Sequence, residues 1–198
     1  MKIHSRGKFP VFEKDKFIDV CVAAVDDGQK AIREIVLEAV ADRDGIIKAL
    51  GEPTEAGVFP LYKSSDLTII NFVWAPFMTL LPHNHKMFAV IGIYGGREDN
   101  VFWRRIKGGF GSDGLAGIEA AGAESMGPGQ VATMGKDIIH SVANPISKLT
   151  SAIHVYGGNF FEPPSPRSQW DHETLAEAPW DMDHTRAVFH EAGVRYSA

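Results

Sequence analysis

The chain has 198 residues, an apolar share of 44% and a net charge of −5. That length can bury the core of one domain, and the acidic balance argues against nucleic acid or an anionic membrane as the main partner. No apolar run reaches the length of a membrane span, Met1–Gly7 has no hydrophobic signal stretch, and the single cysteine, Cys21, excludes an internal disulfide. Together these features predict a cytoplasmic protein with a buried, inert thiol.

Residues 1–20 follow no clear period. After Asp26-Asp27, Ile32, Ile35, Val36, Ala39 and Val40 fall on one helical face, with the two acids suited to the helix start. Residues 42–50 read as a second short helix, stopped by Gly51 and Pro53. From Val58 onward short β-branched and apolar runs alternate with turn residues. Strands are predicted over 61–63, 67–74, 78–81, 87–94, 100–106, 115–124, 130–134, 138–142 and 151–156. Gly108–Gly114 lacks the ending of a phosphate loop and reads as a hairpin tip. So many short strands predict an all-β sandwich or closed barrel. Glu162–Pro166 cannot be regular structure, and 185–192 reads as a last helix. The expected division of one domain is 1–57 as a helical cap, 58–161 as the barrel and 162–198 as a C-terminal wrap.

His83 and His85 stand two residues apart, which on a strand puts both imidazoles on one face about 7 Å apart along the chain. Both can reach one metal ion. The best third ligand is His140, in Asp137–Asn144. His4, His172, His184 and His190 sit in polar or terminal stretches and read as structural. Trp74 and Trp103 read as core residues and Trp170 as an anchor for the tail.

Two segments resemble the paired motifs of the cupin superfamily, whose members are double-stranded β-helix barrels. His83-x-His85 and Gly96 fit the first motif, with Phe77 in place of its first Gly and Ala89 or Val90 in place of its Glu. Gly129, His140 and Asn144 fit the second, with Gly135 and Asp137 replacing its Pro and Gly. The resemblance implies an all-β cupin barrel. The missing Glu leaves three neutral imidazoles, unlike the common iron face of two His and one carboxylate. A three-His cupin is similar to the thiol dioxygenases, the relatives of cysteine dioxygenase and 3-mercaptopropionate dioxygenase.

Ser151–Asn159 extends that likeness. His154 and Tyr156 match the Ser-x-His-x-Tyr of thiol dioxygenases, but Ala152 holds the Ser position. Either the relay is shortened or a bulge re-aims Ser151. Val90 stands where animal cysteine dioxygenases carry the Cys that cross-links to the Tyr, so no cross-link forms here. The resemblance implies that His83, His85 and His140 hold Fe(II), with His154 and Tyr156 as catalytic partners. It further implies a small thiol and O2 as substrates, and a homodimer by analogy with other cupins. A carboxylate on the thiol calls for a bidentate cation, for which Arg167 is the candidate. Arg97 reads as a turn residue, and of Arg104 and Arg105 one is expected to face inward. Two other readings stay open: a three-His dioxygenase that cleaves a β-dicarbonyl, and a non-catalytic cupin that binds a metal or metabolite.

Overall fold

The computed structural model describes residues 11–106 and 117–197. The expected hairpin tip at Gly108–Gly114, and His4, lie outside the described residues. Three helices come first: α1 (Lys14–Ala24), α2 (Gln29–Ala41) and α3 (Arg43–Leu50). α2 buries the expected stripe, but Asp26 and Asp27 do not open it. They lie in a single 3-10 turn, and Gly28, at φ 82, separates that turn from the helix. α1 occupies residues with no legible period, because only Phe17, Cys21 and Ala24 of its length are buried. Asp42 starts α3 by accepting the Gly45 amide on one carboxylate oxygen and the Phe12 amide on the other.

The strands follow: β1 (Gly57–Lys63), β2 (Thr68–Trp74), β3 (Thr79–Asn84), β4 (Ala89–Gly95), β5 (Glu98–Arg105), β6 (Ile118–Met126), β7 (Val131–Met134), β8 (Ile139–Ala143) and β9 (Thr150–Tyr156). Each overlaps one predicted run. They form two antiparallel sheets, one in the order β1-β2-β9-β4-β7 and one containing β3-β8-β5-β6. From β2 to β5, and again from β6 to β9, each strand lies in the sheet opposite its predecessor. This winding of two sheets about a shared interior is the double-stranded β-helix. The last segment is more than a wrap. β10 (Ser168–Trp170) and β11 (Glu177–Pro179) extend the second sheet through a pairing of Gln169 with His83. α4 (Met182–Ser197) runs about a turn beyond the predicted helix at each end, its start fixed by Asp181, which accepts the amides of Asp183 and His184.

Two apolar layers result. Ile70, Phe72, Leu80, Ile91, Met134 and Val142 fill the space between the sheets, joined by Phe189 of α4. Ile69, Val90, Ile153 and Val155 point the other way and pack against Phe17, Ile32, Val36 and Ile46 of the helices. Fully burying one such side chain contributes about 1.5–3 kcal/mol. Gly92 lets α2 sit this close, because a Cβ there would stand 2.5 Å from Val36 Cγ1. Cys21 belongs to the helical layer, and burial pushes its thiol up to about 12. Among the described residues no helix is long and apolar enough to cross a membrane.

Candidate metal centre

His83 lies on β3, His85 just past its end, and His140 opposite His83 on β8. β3 is irregular between Leu80 and His83, and Lys86 takes a positive φ of 57, so the chain bends around His85. The three rings face one another, with centroids 4.6–5.0 Å apart. The Nε2 atom of His85 stands 3.2 Å from that of His83 and 3.3 Å from that of His140. Three nitrogens bound at about 2.1 Å to one ion stand roughly 3.0–3.4 Å apart at octahedral or tetrahedral angles. The donor set therefore fits a single metal ion.

The tautomers support that fit. His83 Nδ1 lies 2.8 Å from the Leu81 carbonyl, which can only accept, so the proton is on Nδ1 and the Nε2 lone pair is free. His140 Nδ1 lies 2.7 Å from Asn100 Oδ1, with the same consequence. Burial holds all three imidazoles neutral: it brings His83 down to about 4 and pushes His85 and His140 well below the usual range. Neutral imidazoles are the form that ligates. The inward residue of β4 next to this group is Ala89, so no carboxylate reaches the ion from that strand, while Val90 faces the helices.

Tyr156 and His154 reach the same space from the other sheet. The Tyr156 ring lies 5.1 Å from His85, and its hydroxyl is 3.0 Å from His154 Nδ1. Burial raises the Tyr156 phenol and lowers His154 to about 3. Ser151 is not re-aimed. Ala152, His154 and Tyr156 share the inner face, while Ser151 lies on the outer face beside Gly95. In place of the serine, His154 Nε2 faces Glu98 Oε2 at 3.9 Å. Glu98 and Asn100 escaped the sequence reading. Their signal is an acid and an amide at alternate positions of a strand, which places both side chains inward.

Arg167 is buried, with its guanidinium 4.4 Å from the Phe160 ring and 5.0 Å from Trp180. Its Nε and Nη1 have no hydrogen-bond partner. Burial brings its pKa down to about 10, still cationic at neutral pH, and its charge disfavours protonation of His83 and His85. The expectation for Arg104 and Arg105 is corrected. Both are exposed at the end of β5, Arg104 bonded to Glu119 and Arg105 to Glu177 through two hydrogen bonds. Arg97 pairs with Asp99 at the turn. His172, His184 and His190 are exposed, Trp74 and Trp170 are buried, and the Trp103 indole, only half-buried, donates to Ser141. Asn144 anchors a loop, its amide donating to the Ala75 and Lys148 carbonyls.

The void framed by the three histidines, His154, Tyr156 and the aromatic wall of Phe72, Phe160 and Trp180 measures about 20 Å³. That is close to the room one water molecule needs. A wider groove of about 660 Å³ runs between Pro76–Thr79 and α4, but no histidine lines it.

No family model matches the chain. Solved structures to which it is similar include an RmlC-like cupin protein with a double-stranded β-helix fold from Methanocaldococcus jannaschii, at 10% identity over 56% of this chain and 86% of that one, with a TM-score of 0.42. An oxalate decarboxylase from Bacillus subtilis is 16% identical over 59% of this chain, with a TM-score of 0.41. An oxalate oxidase in complex with glycolate is 12% identical over 54%, with a TM-score of 0.40. The chain spans 28% of the decarboxylase and 53% of the oxidase.

Proposed function

We propose that this protein is a non-haem Fe(II) dioxygenase that adds both atoms of O2 to the sulfur of a small, carboxylate-bearing thiol, giving a sulfinate. The observation that carries the reading is the unpaired, buried Arg167 cation beside a wholly neutral three-histidine face. A buried guanidinium with two unmet donors is costly unless an anion completes it. A carboxylate does so through parallel hydrogen bonds.

His83, His85 and His140 would hold the iron, and their neutrality leaves its full positive charge to favour the thiolate form of the substrate. When bound, iron(II) supplies the activation of O2, and oxidation of the sulfur accounts for every electron that O2 takes up. Arg167 orients the far end of the thiol. Tyr156 presents a hydroxyl beside the ligand set, and His154 fixes its direction. Phe72, Phe160 and Trp180 keep bulk water out. A thiol of several heavy atoms does not fit 20 Å³, so binding displaces part of the Trp180–Thr185 wall. A neutral β-dicarbonyl would leave Arg167 unpaired, which counts against that alternative.

The test is oxygen uptake by anaerobically Fe(II)-loaded protein with 3-mercaptopropionate, cysteine, cysteamine and acetylacetone in turn. Uptake matched by sulfinate from the carboxylate-bearing thiols supports the reading. Arg167→Gln should then raise KM for those thiols about tenfold or more, the worth of a charge-assisted pair, and leave cysteamine unchanged. Uptake with acetylacetone alone, or with none of the four at full iron occupancy, overturns it.

A further inference from the structure

One buried acid has no part in the scheme above. Glu98 lies on β5 with no solvent exposure. Its Oε1 accepts from Asn100 Nδ2 at 2.9 Å, and Asn100 Oδ1 accepts from His140 Nδ1 at 2.7 Å. Its Oε2 stands 3.9 Å from His154 Nε2, and neither atom forms a hydrogen bond, although the Trp74 indole, whose Nε1 is likewise unmet, is near enough to the carboxylate to favour its ionised form. His154 Nδ1 lies 3.0 Å from the Tyr156 hydroxyl. A line of polar groups thus runs from a ligating histidine on one sheet to the tyrosine on the other. The 3.9 Å gap is too short for a bridging water, which needs about 4.5 Å. A small rotation of the carboxylate closes it, and leaving both buried groups unmet would be costly.

We propose that Glu98 is a positioning residue for both halves of the site: it fixes His140 through Asn100, and its protonation sets which way the Tyr156 hydroxyl points through His154. The inference rests on the dioxygenase reading only for the identity of the proton donor. With Glu98 ionised, Oε2 accepts from His154 Nε2–H. His154 Nδ1 then accepts the Tyr156 proton, and the tyrosine offers only lone pairs to the cavity. With Glu98 protonated, Oε2–H donates to Nε2, Nδ1–H donates to the tyrosine oxygen, and the Tyr156 O–H is free to donate inward. His154 is neutral in both states, as its burial demands.

The two states interconvert by one proton entering at the Tyr156 oxygen. The tyrosine's own proton passes to Nδ1, and the Nε2 proton passes to Glu98. A bound thiol that loses its proton supplies one there: the S–H bond breaks, the electron pair stays on sulfur, and Glu98 ends protonated. Geometry thus gives the substrate proton a destination and turns Tyr156 into a donor in the same event. Burial raises Glu98 to about 7, near a balance between the states. Asp99 raises it further, whereas the Asn100 amide and the Trp74 indole lower it. The other ionisable groups turned toward Glu98 are His154 and Tyr156, and Arg97 is occupied by Asp99.

The first test needs neither metal nor substrate. In metal-free protein, 15N chemical shifts of His154 should report the Nε2–H tautomer above pH 7 and the Nδ1–H tautomer below it. In Glu98→Gln, whose amide mimics the protonated acid, they should report Nδ1–H throughout. A His154 tautomer indifferent to pH in the natural chain overturns the proposal, whether or not the variant folds. A second arm uses Co(II) as the metal probe. Glu98→Gln should keep its affinity within about threefold, while Glu98→Leu should weaken it tenfold or more by releasing Asn100. Equal affinity in the two variants overturns the link to His140. With a thiol that turns over, kcat/KM should rise as pH rises through 7 in the natural chain. In Glu98→Gln it should be flat and at least ~10-fold lower. Tautomer exchange without thiol turnover would leave this inference standing and remove the dioxygenase reading.

Discussion

β2, β9 and most of β4 are buried on both faces, whereas β6 is exposed along nearly its whole length and β5 over its last residues. The first set has the barrel interior on one side and three helices on the other. The second has water outside and an edge strand of small residues, broken by the charges of Glu119 and Glu124, which discourages pairing with another chain. The chemistry is divided along the same line. All three candidate ligands come from the more open sheet, on or beside β3 and β8, while His154 and Tyr156 come from β9 in the helix-backed sheet. The helix-backed sheet carries the hydroxyl, held by His154, and the open sheet carries the ligands, with β10 paired to β3 at His83. Glu98 is the charged residue that spans the two.

Changes on each side should separate these roles. His140→Ala removes a ligand from the open sheet and should abolish stoichiometric metal binding and turnover together, measured by metal analysis and oxygen uptake. Normal metal content in that variant would dissolve the division. Tyr156→Phe, on the other sheet, should leave metal content intact and lower kcat about 100-fold, the usual scale for removing one well-placed donor. Acid should strain both sheets at once. His83 and His154 titrate near 4 and 3 in the folded protein and near 6.5 when unfolded, so the unfolded state binds more protons between those values. Stability of the metal-free protein should therefore fall as pH drops from about 6.5 toward 4, followed by denaturant titration. A flat profile would mean that these rings are not buried as described. The smallest effect is expected at Gly92→Ala, where the new methyl meets Val36 and Val40. It should cost about 1–3 kcal/mol in denaturant unfolding and leave metal content untouched. Loss of metal there would show that the helices tune the site rather than support it.

The barrel was legible because its strands alternate and its turns carry Gly and Pro. The three histidines were legible because ligand chemistry concentrates in short motifs. What escaped detection depends on contacts between distant segments. Glu98 lies outside the predicted strand 100–106 and Asn100 is only its first residue, so neither stands out until β5 is paired with β8, which brings Asn100 to His140. Arg105 looks free to face inward until β11 brings Glu177 beside it. Phe77, which stands where the cupin motif has Gly, keeps the glycine-like conformation: it takes φ 58 in the turn closed by Met78 N to Ala75 O. The phenyl ring is 67% exposed, so the turn bears the local cost of a Cβ at positive φ, about 1–2 kcal/mol, without burying the ring.

Cys21 is the chain's one thiol, buried on α1 within the helical layer and raised to about 12. Its thiolate is scarce at any pH where a small mercaptan is nucleophilic, and no route brings a disulfide to it without unfolding the cap. The folded protein should therefore neither form mixed disulfides with thiol compounds in its surroundings nor react with Ellman's reagent. Any thiol lost from such a solution could be counted directly as substrate, and a signal from the protein itself would mark the opening of its N-terminal helices.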